Sequence, residues 1–188
     1  MNDIEILQEM LISQAQVPLQ QEQGRLSVEL TDTQAKTTVV IKELPYDSIV
    51  IKTDVFELRR AFFAGSKDER RRADFVIVSN EDTKKWIICI ETKKGNIQKS
   101  EVVAQLRGAR CVMDYCKSIG REFWTAKGFL EGYEYRFVGI AHINVPKQPT
   151  HSTLDIQSQG ELHSRPDVFL QILGSSNLSF SNLIDEAS

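Results

Sequence analysis

Arg72-Ala73-Asp74-Phe75-Val76-Ile77-Val78 and Trp86-Ile87-Ile88-Cys89-Ile90-Glu91-Thr92-Lys93-Lys94-Gly95 are the two stretches whose reading decides the fold. Each contains a short apolar run rich in β-branched residues, and the polar segment Ser79 to Lys85 lies between them, which is the pattern of an antiparallel hairpin with a long loop. If the loop is symmetric, Ser79 pairs with Trp86 and every pair of facing residues has numbers summing to 165. Asp74 then falls opposite Glu91. Facing residues of an antiparallel ladder share one side of the sheet, with Cβ atoms ~4.5 to 5.5 Å apart. Lys93, two residues after Glu91, points to that side as well.

Two like charges facing each other in a sheet are destabilising, so the pair requires water, cationic neighbours or a divalent ion between the carboxylates. A hard cation fits best. Mg²⁺ takes one or two protein carboxylates, keeps several waters and completes its shell with phosphate oxygens, with Mn²⁺ as a substitute. That arrangement activates water for phosphodiester hydrolysis. D-x-K alone is a weak pattern, since Asp82-Thr83-Lys84 satisfies it inside the expected hairpin loop. The context of an apolar strand ending in E-x-K, a facing aspartate and a following helix is more specific.

At these residues the chain resembles the PD-(D/E)xK nuclease superfamily, which includes restriction enzymes, Holliday junction resolvases and RecB-like nucleases. The resemblance covers roughly residues 49–144. It implies a restriction endonuclease-like core of α/β (α+β) class: a central mixed β-sheet flanked by helices, in the order α-β-β-β-α-β. It further implies that Asp74, Glu91 and the backbone carbonyl of Thr92 bind Mg²⁺, and that Lys93 is the catalytic lysine that positions or activates the attacking water. Ala73 stands where the family has the proline that names the motif. In RecB-like relatives a glutamine on the next helix lies near the active site. Gln105 is its counterpart here, although Ala109 occupies the tyrosine position of the fuller Q-x-x-x-Y signature. Some members carry another glutamate on an upstream helix, for which Glu57, Glu5 and Glu9 are candidates, Glu57 being nearest in sequence to the basic segment.

Working outward, Ser100 is a candidate N-cap, followed by Val102, Leu106, Ala109, Met113 and Cys116 at steps of four and three, an amphipathic helix ending near Gly120. Phe137 to Ile143 reads as a strand covered on both faces. Upstream, Ile4, Leu7 and Leu11 give a short N-terminal helix stopped by Pro18, a polar stretch lies around Gln20 to Gly24, and Thr37 to Lys42 and Ile49 to Thr53 are candidate strands. Val55 to Phe63 is ambiguous between helix and strand. At 188 residues, 41% hydrophobic and 26% charged, the chain has the size of one domain with a sizeable core. The expected division is a motif core over 49–144, an N-terminal helix and linker over 1–23 and a C-terminal extension over 150–188. Within the extension, Val168, Phe169, Leu170, Ile172 and Leu173 suit a core or a dimer interface equally.

The net charge of -3 conceals an uneven distribution. Between Arg59 and Arg110 there are 13 Lys and Arg against 7 Asp and Glu, while both flanks are acidic. Within that stretch Arg70, Arg71, Arg72, Lys94, Lys99 and Arg107 are the candidate nucleic-acid contacts. Phe62 and Phe63, beside the apolar core, are read as packed. Cys89, Cys111 and Cys116 have no CxxC spacing and read as reduced thiols, and the three histidines lack zinc-site spacing. No apolar run approaches the ~20 residues of a membrane helix. The acidic N-terminus lacks the marks of a secretory signal, so the expected location is cytoplasmic.

The expected function is therefore a metal-dependent nuclease acting on nucleic acid, DNA before RNA, by itself, as a homodimer or within a larger defence or repair complex. The alternative is the same fold serving as an inactive or partner-dependent module that binds nucleic acid or protein.

Overall fold

The computed structural model describes residues 1–33, 36–56, 62–81, 83–141, 155–157 and 162–184, with backbone only for 155–157. Among these the chain forms a mixed α/β structure of two mixed sheets and three helices: α1 (Asp3–Met10), β1 (Gln16–Val17), β2 (Leu19–Glu22), β3 (Arg25–Asp32), β4 (Thr37–Leu44), β5 (Asp47–Lys52), β6 (Phe75–Asn80), β7 (Lys85–Lys93), α2 (Lys99–Phe123), β8 (Glu134–Ala141), β9 (Asp155–Gln157), β10 (Leu170–Leu173), β11 (Asn177–Ser179) and α3 (Ser181–Ile184). The larger sheet runs β1-β5-β6-β7-β8-β10-β9 and the smaller β11-β4-β3-β2. In the larger sheet β5, β6 and β7 are successive antiparallel neighbours. β8 then lies parallel to β7, with α2 between them in sequence, because a parallel neighbour requires a long crossover.

The large sheet is buried on both faces, which is why β6, β7 and β8 read as continuous apolar runs. Val76, Val78, Ile87 and Cys89 pack with Leu7 of α1 and with Val102, Leu106 and Met113 of α2. Phe75, Ile77, Ile88 and Ile90, of alternate parity, pack with Val28 and Leu30 of β3 and Val39 and Ile41 of β4. The result is three layers, with α1 and α2 on one side of the large sheet and the small sheet, with α3, on the other. At the start of the chain α1 is set by a reciprocal cap: the Glu5 N–H donates to the Asn2 side chain, and the Asn2 N–H donates to the Glu5 carboxylate, both at 2.8 Å.

The hairpin has the expected register, from Phe75 against Ile90 to Ser79 against Trp86. Its loop is shorter than expected, because Asn80 also pairs with Lys85 and the Glu81 N–H donates to the Lys84 carbonyl at 2.8 Å. Four other stretches differ from the expectation. The stretch read as linker carries β1 and β2, and β2 pairs with β3, whose alternation of buried Val28 and Leu30 with exposed Glu29 and Thr31 marks a strand covered on one face. The C-terminal extension is built into the sheets: β10 is parallel to β8, β11 is parallel to β4, and Leu170 and Ile172 are core residues. The N-cap of α2 is Gln98, with no side-chain bond, rather than Ser100, since the Gln98 carbonyl already accepts from Glu101 and Val102. The helix also continues past Gly120, which is a close-packing position: an added Cβ would meet the Phe129 ring at 2.2 Å. The turn Thr53–Val55 is 3-10 helical, and residues 57–61, 142–143 and Asp82 lie outside the described residues.

Gly108 decides how closely α2 approaches the segment leading into β6. A Cβ there would sit 1.7 Å from the Arg71 carbonyl oxygen, an impossible separation. Glycine-to-alanine in a helix interior ordinarily gains about 1 kcal/mol. Here the helix must move from the Arg71–Arg72 backbone, and overpacking costs about 1 to 3 kcal/mol. Gly108→Ala is therefore expected to lower the urea midpoint despite its better helix propensity. A midpoint at or above wild type would show that α2 retreats without cost.

Candidate active site

The turn after β5 fixes the backbone ahead of Asp74. The Thr53 N–H donates to the Asp74 carbonyl at 2.9 Å and the Thr53 hydroxyl to the Ala73 carbonyl, while Arg72 donates to the carbonyls of Thr53 at 2.9 Å and Asp54 at 2.8 Å. Ala73 is fully buried among the helix-side core residues. Asp74 is thereby delivered to the end of the hairpin, where its Oδ2 accepts the Thr92 N–H at 2.8 Å and the Thr92 hydroxyl at 2.7 Å. These bonds tie the end of β7 to the start of β6.

Glu91 follows Ile87 and Cys89 on the helix side of β7, and its side chain is 2% exposed. Its Oε1 lies 2.9 Å from Lys93 Nζ, whereas its Oε2 is buried without a hydrogen-bond partner among the described residues. Leaving a buried acceptor unsatisfied costs about 1 to 3 kcal/mol, so the atom calls for a reason. Burial is the main cause pushing the Glu91 carboxyl up to about 8, with Asp74 adding to it and Lys93 and Gln105 opposing. Burial likewise raises Asp74 against the two Thr92 hydrogen bonds, and Asp32 at the end of β3 adds a further repulsive charge. Around Lys93, burial works against the cation, but Glu91 and Glu101 outweigh it and hold the ammonium charged.

Gln105 is brought to Glu91 from α2, and its Oε1 is also buried without a partner among the described residues. Asp74, Glu91, Lys93 and Gln105 thus converge. Glu57 lies outside the described residues. Arg70 and Arg72 do not present free guanidinium groups as expected of phosphate contacts. Arg70 grips the carbonyls of Phe63 and Ala64, and Arg72 those of Thr53 and Asp54, because this irregular stretch has few ladder partners for its carbonyls. Arg71 pairs with Asp68 at 2.8 Å and Glu101 at 3.2 Å. Lys94, Lys99 and Arg107 are exposed. So is Phe62, at 81%, its ring set edge-on to Phe63 with centroids 4.8 Å apart rather than packed in the core. Cys89 and Cys116 are buried free thiols and Cys111 an exposed one.

Comparison with known proteins gives no matching family model, no matching curated protein and no matching solved structure. No helix among the described residues is long and apolar enough to cross a membrane.

Among the described residues no three His, Cys, Asp or Glu side chains gather into a metal cage. The donors at the hairpin end are two carboxylates, one with an orphaned oxygen, beside the Thr92 backbone. This oxygen-only set suits Mg²⁺ or Mn²⁺, which accept few protein ligands and retain water. Glu5 and Glu9 supply no contact to it among the described residues.

Residues missed in the sequence are Glu101, Arg71 in its pairing role, and Asp32. Glu101 carried a signal only as an acidic first-turn residue, and Asp32 belonged to a strand that was not expected.

The raised Glu91 value sets a pH dependence. The native state holds this proton more tightly than the unfolded chain, whose carboxyl titrates near 4.5, so the group's penalty on folding is absent below that pH and grows as pH rises toward about 8. Glu91→Gln is expected to melt above wild type at pH 8.5 without divalent ions, with the gap shrinking at pH 5. Parallel melting temperatures at both pH values would show that Glu91 is not held protonated. Mg²⁺ is expected to raise the wild-type melting temperature and to leave that of Glu91→Gln nearly unchanged.

Proposed function

We propose that this chain is a metal-dependent nuclease with a restriction endonuclease-like core, hydrolysing phosphodiester bonds of nucleic acid, with DNA as the first substrate. The observation that carries the reading is the buried, partly unsatisfied Glu91 beside Asp74 and Lys93 at one end of the β6–β7 hairpin. The run β5, β6, β7, α2, β8 supports the core assignment, since it follows the β-β-β-α-β part of the resemblance's order, although β1 to β4 intervene between α1 and β5. A surface ion pair needs neither the burial of Glu91 nor a second carboxylate, Asp74, beside it.

Asp74, Glu91 and the Thr92 carbonyl would hold Mg²⁺, which when bound supplies Lewis-acid stabilisation of charge on the phosphate and a more acidic water. Water would add to phosphorus, losing a proton to solvent, and the bridging oxygen would leave with its electron pair and take up a proton from solvent. Lys93 Nζ, held by Glu91, donates a hydrogen bond to the attacking water or to a nonbridging phosphate oxygen. Asp74, fixed by Thr92, keeps its carboxylate directed at the same point. Lys94, Lys99 and Arg107 are the exposed cations left to neutralise the backbone of the bound strand.

Labelled duplex DNA, single-stranded DNA and RNA are incubated with Mg²⁺ or Mn²⁺, or with EDTA. Cleavage is expected with either ion and none with EDTA, and Lys93→Ala should lower the rate by roughly 10² to 10⁴. Salt-sensitive, metal-independent binding without cleavage would replace this reading with the nonenzymatic module.

A further inference from the structure

We infer that Glu101 is a positioning residue for Lys93, a role that rests on the nuclease reading above. Glu101, Gln105 and Gly108 follow at steps of four and three on α2, so they share one helix face. Gly108 lets that face touch the Arg71–Arg72 backbone, and Gln105 meets Glu91. At the start of the same face, Glu101 Oε1 lies 3.3 Å from Lys93 Nζ and 3.2 Å from Arg71 Nη1. Arg71 is fixed in turn by its Nε, 2.8 Å from Asp68 Oδ1. Lys93 Nζ is therefore held between two carboxylates, Glu91 from its own strand and Glu101 from the helix.

A lysine with four rotatable carbons restrained by one carboxylate still sweeps an arc, and a second acceptor from another element fixes the direction of its N–H bonds. Glu101 and Arg71 are 36% and 42% exposed, and exposed pairs of this kind contribute little to stability. Their consequence is geometric: the Asp68–Arg71–Glu101 chain transmits the placement of the segment before Asp74 to the amine beside Glu91.

The test uses the full chain and two readouts. In the metal-free protein, the acetylation rates of Lys93 and exposed Lys94 are compared by mass spectrometry. Glu101→Gln is expected to raise the Lys93 rate severalfold and leave Lys94 unchanged, with Glu101→Asp intermediate. In cleavage assays Glu101→Gln should lower kcat roughly ten- to a hundredfold with KM within about twofold, Glu101→Asp should recover part of the loss, and both should melt close to wild type. An unchanged Lys93 rate, or an unchanged kcat in a protein that cuts, overturns the positioning role. Glu101-dependent protection of Lys93 in a wild type that cuts nothing leaves the contact standing and removes the nuclease reading.

Discussion

The register of β6 on β7 is the constraint on which the site depends. Side chains alternate between faces with a period of two, so a slip of one residue would exchange the helix-facing and sheet-facing sets of both strands. It would also send Glu91 and Lys93 toward the small sheet and away from α2. The apolar residues on both faces enforce the register, since Val76, Val78, Ile87 and Cys89 fit one layer while Phe75, Ile77, Ile88 and Ile90 fit the other. Asp74 adds a polar lock at the open end through its two bonds from Thr92. The same core that stabilises the sheet therefore aims the carboxylates.

That aim carries a cost which the protein only partly offsets. Glu91 follows the apolar run Trp86 to Ile90 of β7, so its carboxyl is desolvated by the packing that holds the sheet together. Lys93 compensates one oxygen and leaves the other without a hydrogen-bond partner among the described residues. A hydrophobic residue at position 91 would complete the core without penalty. Buried, imperfectly satisfied ionisable groups are concentrated where chemistry needs them. The neighbouring Asp74, also pushed upward, makes this a pair of mutually unfavourable carboxylates rather than one isolated defect.

Much of the centre was legible in the sequence because its signals are local. The apolar runs of β6 and β7, the stripe from Val102 to Cys116 and the facing of Asp74 and Glu91 follow from periodicity and a symmetric loop. Of the small sheet only β4 was read from the sequence; β3 was not, because it buries one face only and its alternating Glu29 and Thr31 resemble a polar connection. The partners of the arginines were not legible for another reason. A run of positive charge has a sign but no partner, and in Arg70 and Arg72 the partners are backbone carbonyls of an irregular segment. Glu101 depends on a close approach of helix to loop at Gly108 that no spacing within the helix encodes.

Reassigning those arginines changes how the basic segment acts. Arg72 staples the turn after β5 to the residues before Asp74, and Arg71 carries the placement of that segment to α2 through Glu101. Two of the six cations first read as phosphate contacts, Arg71 and Arg72, thus brace the acidic centre from behind. The exposed remainder, Lys94, Lys99 and Arg107, lie just after β7 or early in α2, on the elements that carry Glu91, Lys93 and Glu101. Cations that shape the site and cations that face solvent are therefore tied to one rigid frame. A polyanion drawn to the exposed group would meet the carboxylates and Lys93 already in place, with no rearrangement needed to assemble them.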